Sequence, residues 1–214
     1  MLEIIFELVN CLQRGDYRTG LNLALQLHTR MPDNPYLLHL ASILYGFIAQ
    51  EAVGGESWDL EGEAIRWAER AVHVAPEVGW LWAMLGWNYE LHLDYERAHR
   101  AFRHALELDP CCVDALRGLA SLWSLPENEG EKWISRDEMI DFLKQVVELE
   151  YHNPIPALHW LVRELQEIGQ HKQAKAYALR ALLNFPPPEP EMVKFFAKVL
   201  SEEQIEASEI DLDL

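Results

Sequence analysis

The chain has 214 residues, half of them hydrophobic, which suffices for one large domain or an elongated array of repeats. Its 18 basic and 35 acidic residues give a net charge of −17, which argues against direct contact with nucleic acid or an anionic membrane surface. The same charge favours a basic protein partner.

A helical hairpin is predicted at the start of the chain. Its second helix lies in GDYRTGLNLALQLHTRMP, where Gly20, Ala24 and Leu27 share one face and Pro32 ends the helix. The next predicted helix, YLLHLASILYGFIAQE, is followed by AVGGESWDLEG, which predicts an extended turn near residues 52–62. The turn carries Trp58, which belongs either to a tolerated surface insertion or to a loop that contacts a partner.

The middle of the chain contains a sequence repeat with a period of 34 residues, since two alanines and a proline at 64, 71 and 76 recur at 98, 105 and 110. In the second copy the fixed positions are Trp82, Leu85, Gly86, Tyr89, Ala98, Phe102, Ala105 and Pro110. Small residues let two helices cross closely, and large ones fill the remaining space. The proline ends the unit, because it cannot continue a helix. Each unit is therefore predicted to be two helices whose apolar faces are buried by stacking on neighbours.

Further hairpins are predicted beyond this repeat. The helix VDALRGLASLW is followed by an extended turn near residues 124–138, which carries Trp133, again either a tolerated insertion or a partner contact. EMIDFLKQVVELEY and GQHKQAKAYALRALLNFP then repeat the pattern of the second helices. An amphipathic helix over residues 189–207 is predicted to cap the array, and residues 208–214 form an acidic tail.

The fixed positions from Trp82 to Pro110 match the signature of the tetratricopeptide repeat, so the chain resembles that family. The match is complete over residues 79–112 and looser over the rest of residues 1–188. The resemblance implies an all-α fold, namely a right-handed α-solenoid of about five helical hairpins with a C-terminal capping helix.

In this family the first helix of each hairpin lines the concave surface, which implies a set of partner-binding residues by position. The set is Tyr45, Trp80, Trp87, Glu90, Arg117, His159 and Arg163, and the same register adds Ile5, Val9, Leu38, Ser42 and Ala83. Trp80 and Trp87 lie on one helix face, where they either anchor a partner or pack against a neighbouring helix. Arg117 and Arg163 either clamp an acidic group or remain solvated.

The sequence offers little for catalysis. Glu96-x-x-His99 has the spacing of one helical metal-ligand pair, whereas a di-iron bundle needs two such pairs and two further glutamates. There is no Cys-x-x-Cys pair, glycine-rich phosphate loop or G-x-S-x-G elbow. The sequence therefore predicts a protein that is not an enzyme and uses no metal and no cofactor.

Cysteine usage and the N-terminal segment bear on location. Cys11, Cys111 and Cys112 are odd in number and lack a repeated spacing, which is not typical of a disulfide framework. The start of the chain lacks the basic region and cleavage site of a secretory signal, and no run of 18 apolar residues occurs. These features predict a cytoplasmic protein.

Together these features predict a non-catalytic protein-interaction module. We expect it to capture a peptide segment or helix of a partner on its concave face, as an adaptor or subunit of a multiprotein complex. Two alternatives remain open at this point: a dedicated chaperone of a secretion or assembly substrate, and a regulator that occludes a partner enzyme. The sequence does not indicate an oligomeric state.

Overall fold

The computed structural model describes residues 2–52, 55–126, 132–150, 153–184 and 189–201. Over these ranges the chain folds into eleven α-helices and no strand, which confirms the all-α prediction. The chain divides into two compact units, Met1–Gly118 and Leu119–Leu214, and the division falls inside the seventh helix.

The first unit is a series of helices that pack in chain order. They are α1 (Leu2–Arg14), α2 (Tyr17–His28), α3 (Pro35–Glu51), α4 (Gly55–Val74), α5 (Gly79–Leu91), α6 (Tyr95–Leu108) and the first part of α7 (Val113–Trp123). From α1 to α6 each helix packs against the next, which is the order of a helical-repeat solenoid. Asp16, Asn34 and Asp94 begin α2, α3 and α6, because each side chain accepts a hydrogen bond from a backbone N–H of the first turn.

The turn between the two helices of a hairpin has the same form at three places. Gly15, Leu93 and Gly169 adopt left-handed backbone angles, with φ of 72°, 60° and 77°. In each turn the following residue donates its backbone N–H to the carbonyl five positions earlier, over 2.8–2.9 Å. This bond satisfies a carbonyl at the end of the first helix and turns the chain into the second.

The core of the first unit follows the predicted alternation of small and large residues. Ala98, Phe102 and Ala105 of α6 are completely buried. Phe102 lies against Gly86 of α5 and Gly118 of α7, and a Cβ atom added at either glycine would come within 2.5 Å of its ring. The predicted role of Gly86 as a site of close helix approach is confirmed.

The second unit contains the end of α7 and four further helices. They are α8 (Arg136–Leu149), α9 (Ile155–Glu167), α10 (His171–Asn184) and α11 (Pro190–Ser201). Ser135 and Glu138 form a reciprocal capping box at the start of α8. α8 packs on α9, α9 on α10 and α10 on α11, whose Phe196 and Val199 are buried.

The start of α4 differs from the prediction. The extended turn predicted near residues 52–62 is wrong for residues 55–62, which form the first two turns of α4. Ser57 stabilises this start, because its hydroxyl lies 3.0 Å from the carbonyl of Ala49 and 3.1 Å from Glu61 Oε1. The acidic residues that suggested a turn also favour a helix N-terminus, where the helix dipole is positive.

The other predicted boundaries lie partly outside the described residues. The extended turn near residues 124–138 ends at Ser135, and residues 127–131 are outside the described ranges. The predicted capping helix over 189–207 corresponds to α11 up to Ser201. Residues 202–207 and the predicted acidic tail, 208–214, also lie outside the described ranges.

Candidate partner-binding surface

The aromatic signature residues of the α5–α6 hairpin serve its packing. Trp82 Nε1–H donates to the carbonyl of Pro76 over 2.8 Å, and the Trp82 ring meets that of His104 edge-on at 4.6 Å between centroids. The Tyr89 hydroxyl donates to Glu69 Oε1 over 2.7 Å. Burial, with this hydrogen bond, raises the pKa of Tyr89 to about 12. These contacts fix α5 between α4 and α6.

A groove of about 420 Å³ lies beside these residues, which the sequence did not predict. It is lined by Trp82, Leu85, Tyr89, Arg97, Arg100, Ala101 and His104. Its basic side chains already have acidic neighbours on α6: Arg97 forms an ion pair with Asp94, and Arg100 lies 3.9 Å from Glu96. The groove therefore presents an apolar floor with largely compensated charges.

Trp80 belongs to an aromatic cluster on two successive first helices. Its ring stacks with Tyr36 of α3 at 5.8 Å between centroids and meets His39 of α3 edge-on at 4.8 Å. Tyr36 is 67% exposed. Burial lowers the pKa of His39 to about 4, so its imidazole is neutral near pH 7. We call Tyr36, His39 and Trp80 the first-helix surface.

The other predicted residues on α3, α5 and α7 are each partly or completely buried, whereas Ile5 and Val9 of α1 are exposed as predicted. Trp87 is half-buried and meets the ring of Phe102 edge-on at 5.4 Å, so it packs against its own hairpin. Tyr45 lies parallel to Trp67 of α4 at 6.5 Å, and burial raises the pKa of its phenol. Glu90 and Arg117 are both partly buried. Trp80 and Trp87 therefore contact different neighbours.

The register predicted for α3 and α5 is wrong at three positions. Leu38, Ser42 and Ala83 are completely buried rather than presented on a surface. α3 packs against both α2 and α4, which covers the stripe that contains Leu38 and Ser42. Tyr36 and His39 were missed, although their spacing of three residues places them on one helix face.

The two tryptophans predicted to lie in loops differ in setting. Trp58 lies on α4, not in a loop, and is 53% exposed. Its ring meets His92 edge-on at 4.9 Å, and His92 Nδ1 lies 3.2 Å from Glu61 Oε2. Trp133, in the second unit, precedes α8 and is half-buried, with the ammonium of Lys132 4.6 Å from its ring centroid.

The two predicted residues of the second unit have partners within that unit. His159 of α9 meets the ring of Phe195 of α11 edge-on at 4.5 Å, and burial lowers the pKa of its imidazole. Arg163 is exposed, and its guanidinium lies 3.2 Å from Glu164 Oε1. α11 therefore covers His159, and the guanidinium of Arg163 is held next to a buried carboxylate.

Two further features of the described residues bear on other classes of function. None of the helices described is both long and apolar enough to cross a membrane. Within the same ranges, no three His, Cys, Asp or Glu side chains come together as ligands for a metal ion.

The comparisons with known proteins point to one family. Residues 80–110 match the family model of the tetratricopeptide repeat. The crystal structure of TTC0263, a thermophilic tetratricopeptide protein of Thermus thermophilus, has a TM-score of 0.62 and 18% identity, covering 93% of this chain and 98% of that one. The crystal structure of MamA has a TM-score of 0.59 and 19% identity, covering 88% and 95%.

A shorter neighbour is the tetratricopeptide domain of Sgt2 from Aspergillus fumigatus, with a TM-score of 0.50 and 22% identity over 60% of this chain and 80% of that domain. No curated protein matches the chain in sequence. Signature, packing order and structural neighbours agree: the chain carries a tetratricopeptide repeat at residues 80–110 and has a fold of the tetratricopeptide type.

Proposed function

We propose that the chain is a non-catalytic adaptor or subunit that holds a segment of a partner protein on the first-helix surface. The observation that carries this proposal is the meeting of Tyr36, His39 and Trp80 on α3 and α5, with Tyr36 67% exposed. Aromatic side chains supply large contact areas at little cost in conformational entropy, and they dominate the energetics of protein interfaces. A tetratricopeptide fold supports this proposal, because it is a scaffold for binding proteins rather than a catalytic centre.

The chemistry of the surface suggests what the partner segment carries. The stacked rings of Tyr36 and Trp80 offer faces that suit an aliphatic side chain or the cationic group of a lysine or arginine. The neutral imidazole of His39 adds no positive charge near pH 7. With a net charge of −17 on the chain, a segment with basic residues around an apolar anchor associates fastest.

The test compares variants in a pull-down from native cells, followed by affinity measurement with the identified segment. Tyr36→Ala removes an exposed ring, and Tyr36→Ala/Trp80→Ala removes both stacked rings. Trp58→Ala is the matched control, because Trp58 is 53% exposed on the same unit but touches His92 instead. Circular dichroism establishes that each variant folds.

We expect the partner to bind wild type and Trp58→Ala equally and to lose at least about tenfold in affinity with the double variant. Equal binding by wild type and all three variants contradicts the first-helix surface. Loss only with Trp58→Ala moves the site to the start of α4.

The behaviour of the partner distinguishes the adaptor, chaperone and regulatory roles. An adaptor or subunit gives a constitutive complex of fixed stoichiometry, which size-exclusion chromatography with light scattering measures. A partner that is insoluble without this chain indicates the chaperone role instead. A change in a partner's enzymatic activity on titration with this chain indicates the regulatory role.

A further inference from the structure

Helix α1 has apolar side chains on two opposite faces. On one face, Leu8 and Cys11 are each 4% exposed, and Leu8 packs into a core shared with α2 and α3. On the other, Ile5 is 40%, Phe6 69% and Val9 45% exposed. We call Ile5, Phe6 and Val9 the outer face of α1. Such an apolar cluster on a surface is typical of an interaction site.

One edge of the outer face carries three charged residues, Glu3, Glu7 and Arg14, which are all exposed. Glu3 and Arg14 are both exposed, and among the described residues neither forms an ion pair. They are eleven residues apart, which at about 100° per residue returns to nearly the same angle around the helix. Glu3 is therefore near one end of α1 and Arg14 near the other along a single edge, and Glu7 lies on that edge between them.

We propose that the outer face of α1 binds the outer face of a second copy of the chain, with the two α1 helices antiparallel. A two-fold axis between the helices places Phe6, Ile5 and Val9 of both copies in one apolar contact. In an antiparallel pair the same edge of each helix faces the other. Glu3 of each copy then lies opposite Arg14 of the second copy, which gives two opposite-charge pairs. The two Glu7 side chains come close together between these pairs and repel one another, which weakens the dimer but leaves both pairs in place.

The dimer is expected to be weak and reversible. α1 has 13 residues and is thus about 20 Å long, and a contact through one such helix is smaller than a standard stable interface. The net charge of −17 on each copy opposes association at low salt. In about 0.15 M salt the Debye length is about 8 Å, so this long-range repulsion is screened while contacts at the interface persist.

The first experiment is sedimentation of the full chain in about 0.15 M NaCl, from about 5 to 200 µM, which spans the micromolar range expected of a small interface. Phe6→Ser removes the largest exposed ring of the outer face. Leu183→Ser is the matched control, because Leu183 is an apolar side chain that is 70% exposed on α10, in the second unit.

We expect wild type and Leu183→Ser to dimerise alike and Phe6→Ser to dimerise at least about tenfold more weakly. Wild type that stays monomeric throughout overturns the proposal, and so does a dimer that Phe6→Ser leaves unchanged.

The second experiment tests the antiparallel arrangement by exchanging charges. Glu3→Arg places two arginines opposite each other at both ends of this edge in the homodimer, and Arg14→Glu places two glutamates there. In a one-to-one mixture of the two variants, the heterodimer regains an opposite-charge pair at both ends. We expect each variant alone to dimerise about three- to tenfold more weakly than wild type, and the mixture to return to the wild-type affinity.

The mixture also separates this effect from damage to the helix. Both substitutions oppose the helix dipole and can fray α1, but fraying is not repaired by mixing two frayed proteins. A mixture that associates no better than the separate variants overturns the antiparallel pairing.

Discussion

The ring of Phe102 fills the space that a side chain at Gly86 would need: a Cβ atom on residue 86 would lie 2.5 Å from Cε1 of that ring. The same ring leaves only 2.3 Å for a Cβ atom on Gly118. Phe102 is completely buried, so a shift of its ring displaces neighbouring side chains. Gly86 of α5 and Gly118 of α7 must therefore lack a side chain, because the Phe102 ring lies between them.

Gly86→Ala should therefore destabilise the protein by about 1–3 kcal/mol, because the added methyl group forces the Phe102 ring or the helices apart. Without this clash, alanine would stabilise the helix by about 1 kcal/mol relative to glycine. A loss of stability would therefore have to come from the contact with Phe102. Gly62→Ala in α4 is the control, since a Cβ atom there meets nothing within 4 Å. Urea denaturation followed by circular dichroism should show loss at residue 86 and a gain of about 0.5–1 kcal/mol at residue 62. Gains at both sites would mean that Phe102 yields easily.

Leu93 offers a prediction of the opposite sign. It has φ of 60°, where a side chain costs about 1–2 kcal/mol, and the equivalent turns have glycine at 15 and 169. Leu93 is 58% exposed, so its replacement loses little burial. Leu93→Gly should raise the free energy of unfolding by about 0.5–1 kcal/mol, after the entropic cost of glycine in the unfolded chain. Gly15→Ala, at φ of 72°, should lower it; thermal melts of both variants give the comparison.

His39 makes stability depend on pH. Burial lowers its pKa from 6.5 to about 4, so the folded state keeps the imidazole neutral while the unfolded chain protonates near pH 6.5. The contribution is fully present above pH 6.5 and is lost as the pH falls from there through about 4. The loss is about 2–3 kcal/mol. Urea denaturation between pH 7 and 4 should show a smaller decline for His39→Gln than for wild type. Parallel curves for the two proteins would contradict this origin of the pH dependence.

A buried carboxylate in the second unit gives a fourth prediction. Glu164 is 1% exposed; its Oε1 lies 3.3 Å from Trp160 Nε1, and its Oε2 lies 3.8 Å from Arg136 Nε without a hydrogen bond. Arg136→Met should cost about 1–3 kcal/mol, because the carboxylate stays buried with less compensation. The double variant Arg136→Met/Glu164→Gln should recover more than half of that loss. A double-mutant cycle by urea denaturation measures the coupling, and additive losses would show that the two residues act independently.

Contacts within one repeat could be predicted because spacing alone determines them. In a hairpin with a short turn, the positions of Gly86 and Phe102 on their helices already specify that small meets large. The capping role of Asp94 follows in the same way from its place before α6. Such features depend on local geometry and need no knowledge of distant neighbours.

Contacts with more distant helices could not be predicted. Leu38 and Ser42 were expected on a surface, yet α2 and α4 bury them, because packing on both sides determines how α3 is rotated. His159 was expected in a binding groove, but Phe195 of α11 covers it from 36 positions further along the chain. The start of α4 was missed because acidic residues beside glycines suit both a turn and a helix N-terminus.

The length of α4 has a geometric consequence. α4 has 20 residues and α6 has 14, a difference of about 9 Å along the helix axis. Trp58, in the first turn of α4, touches His92 at the end of α5, so the extra length lies beside the turn that joins α5 and α6. Extra residues in a loop would make the loop longer and more flexible. Extra residues in a helix instead form a rigid step on the surface. A partner segment that crosses that turn would meet this step on its α4 side, so its two possible chain directions would not be equivalent.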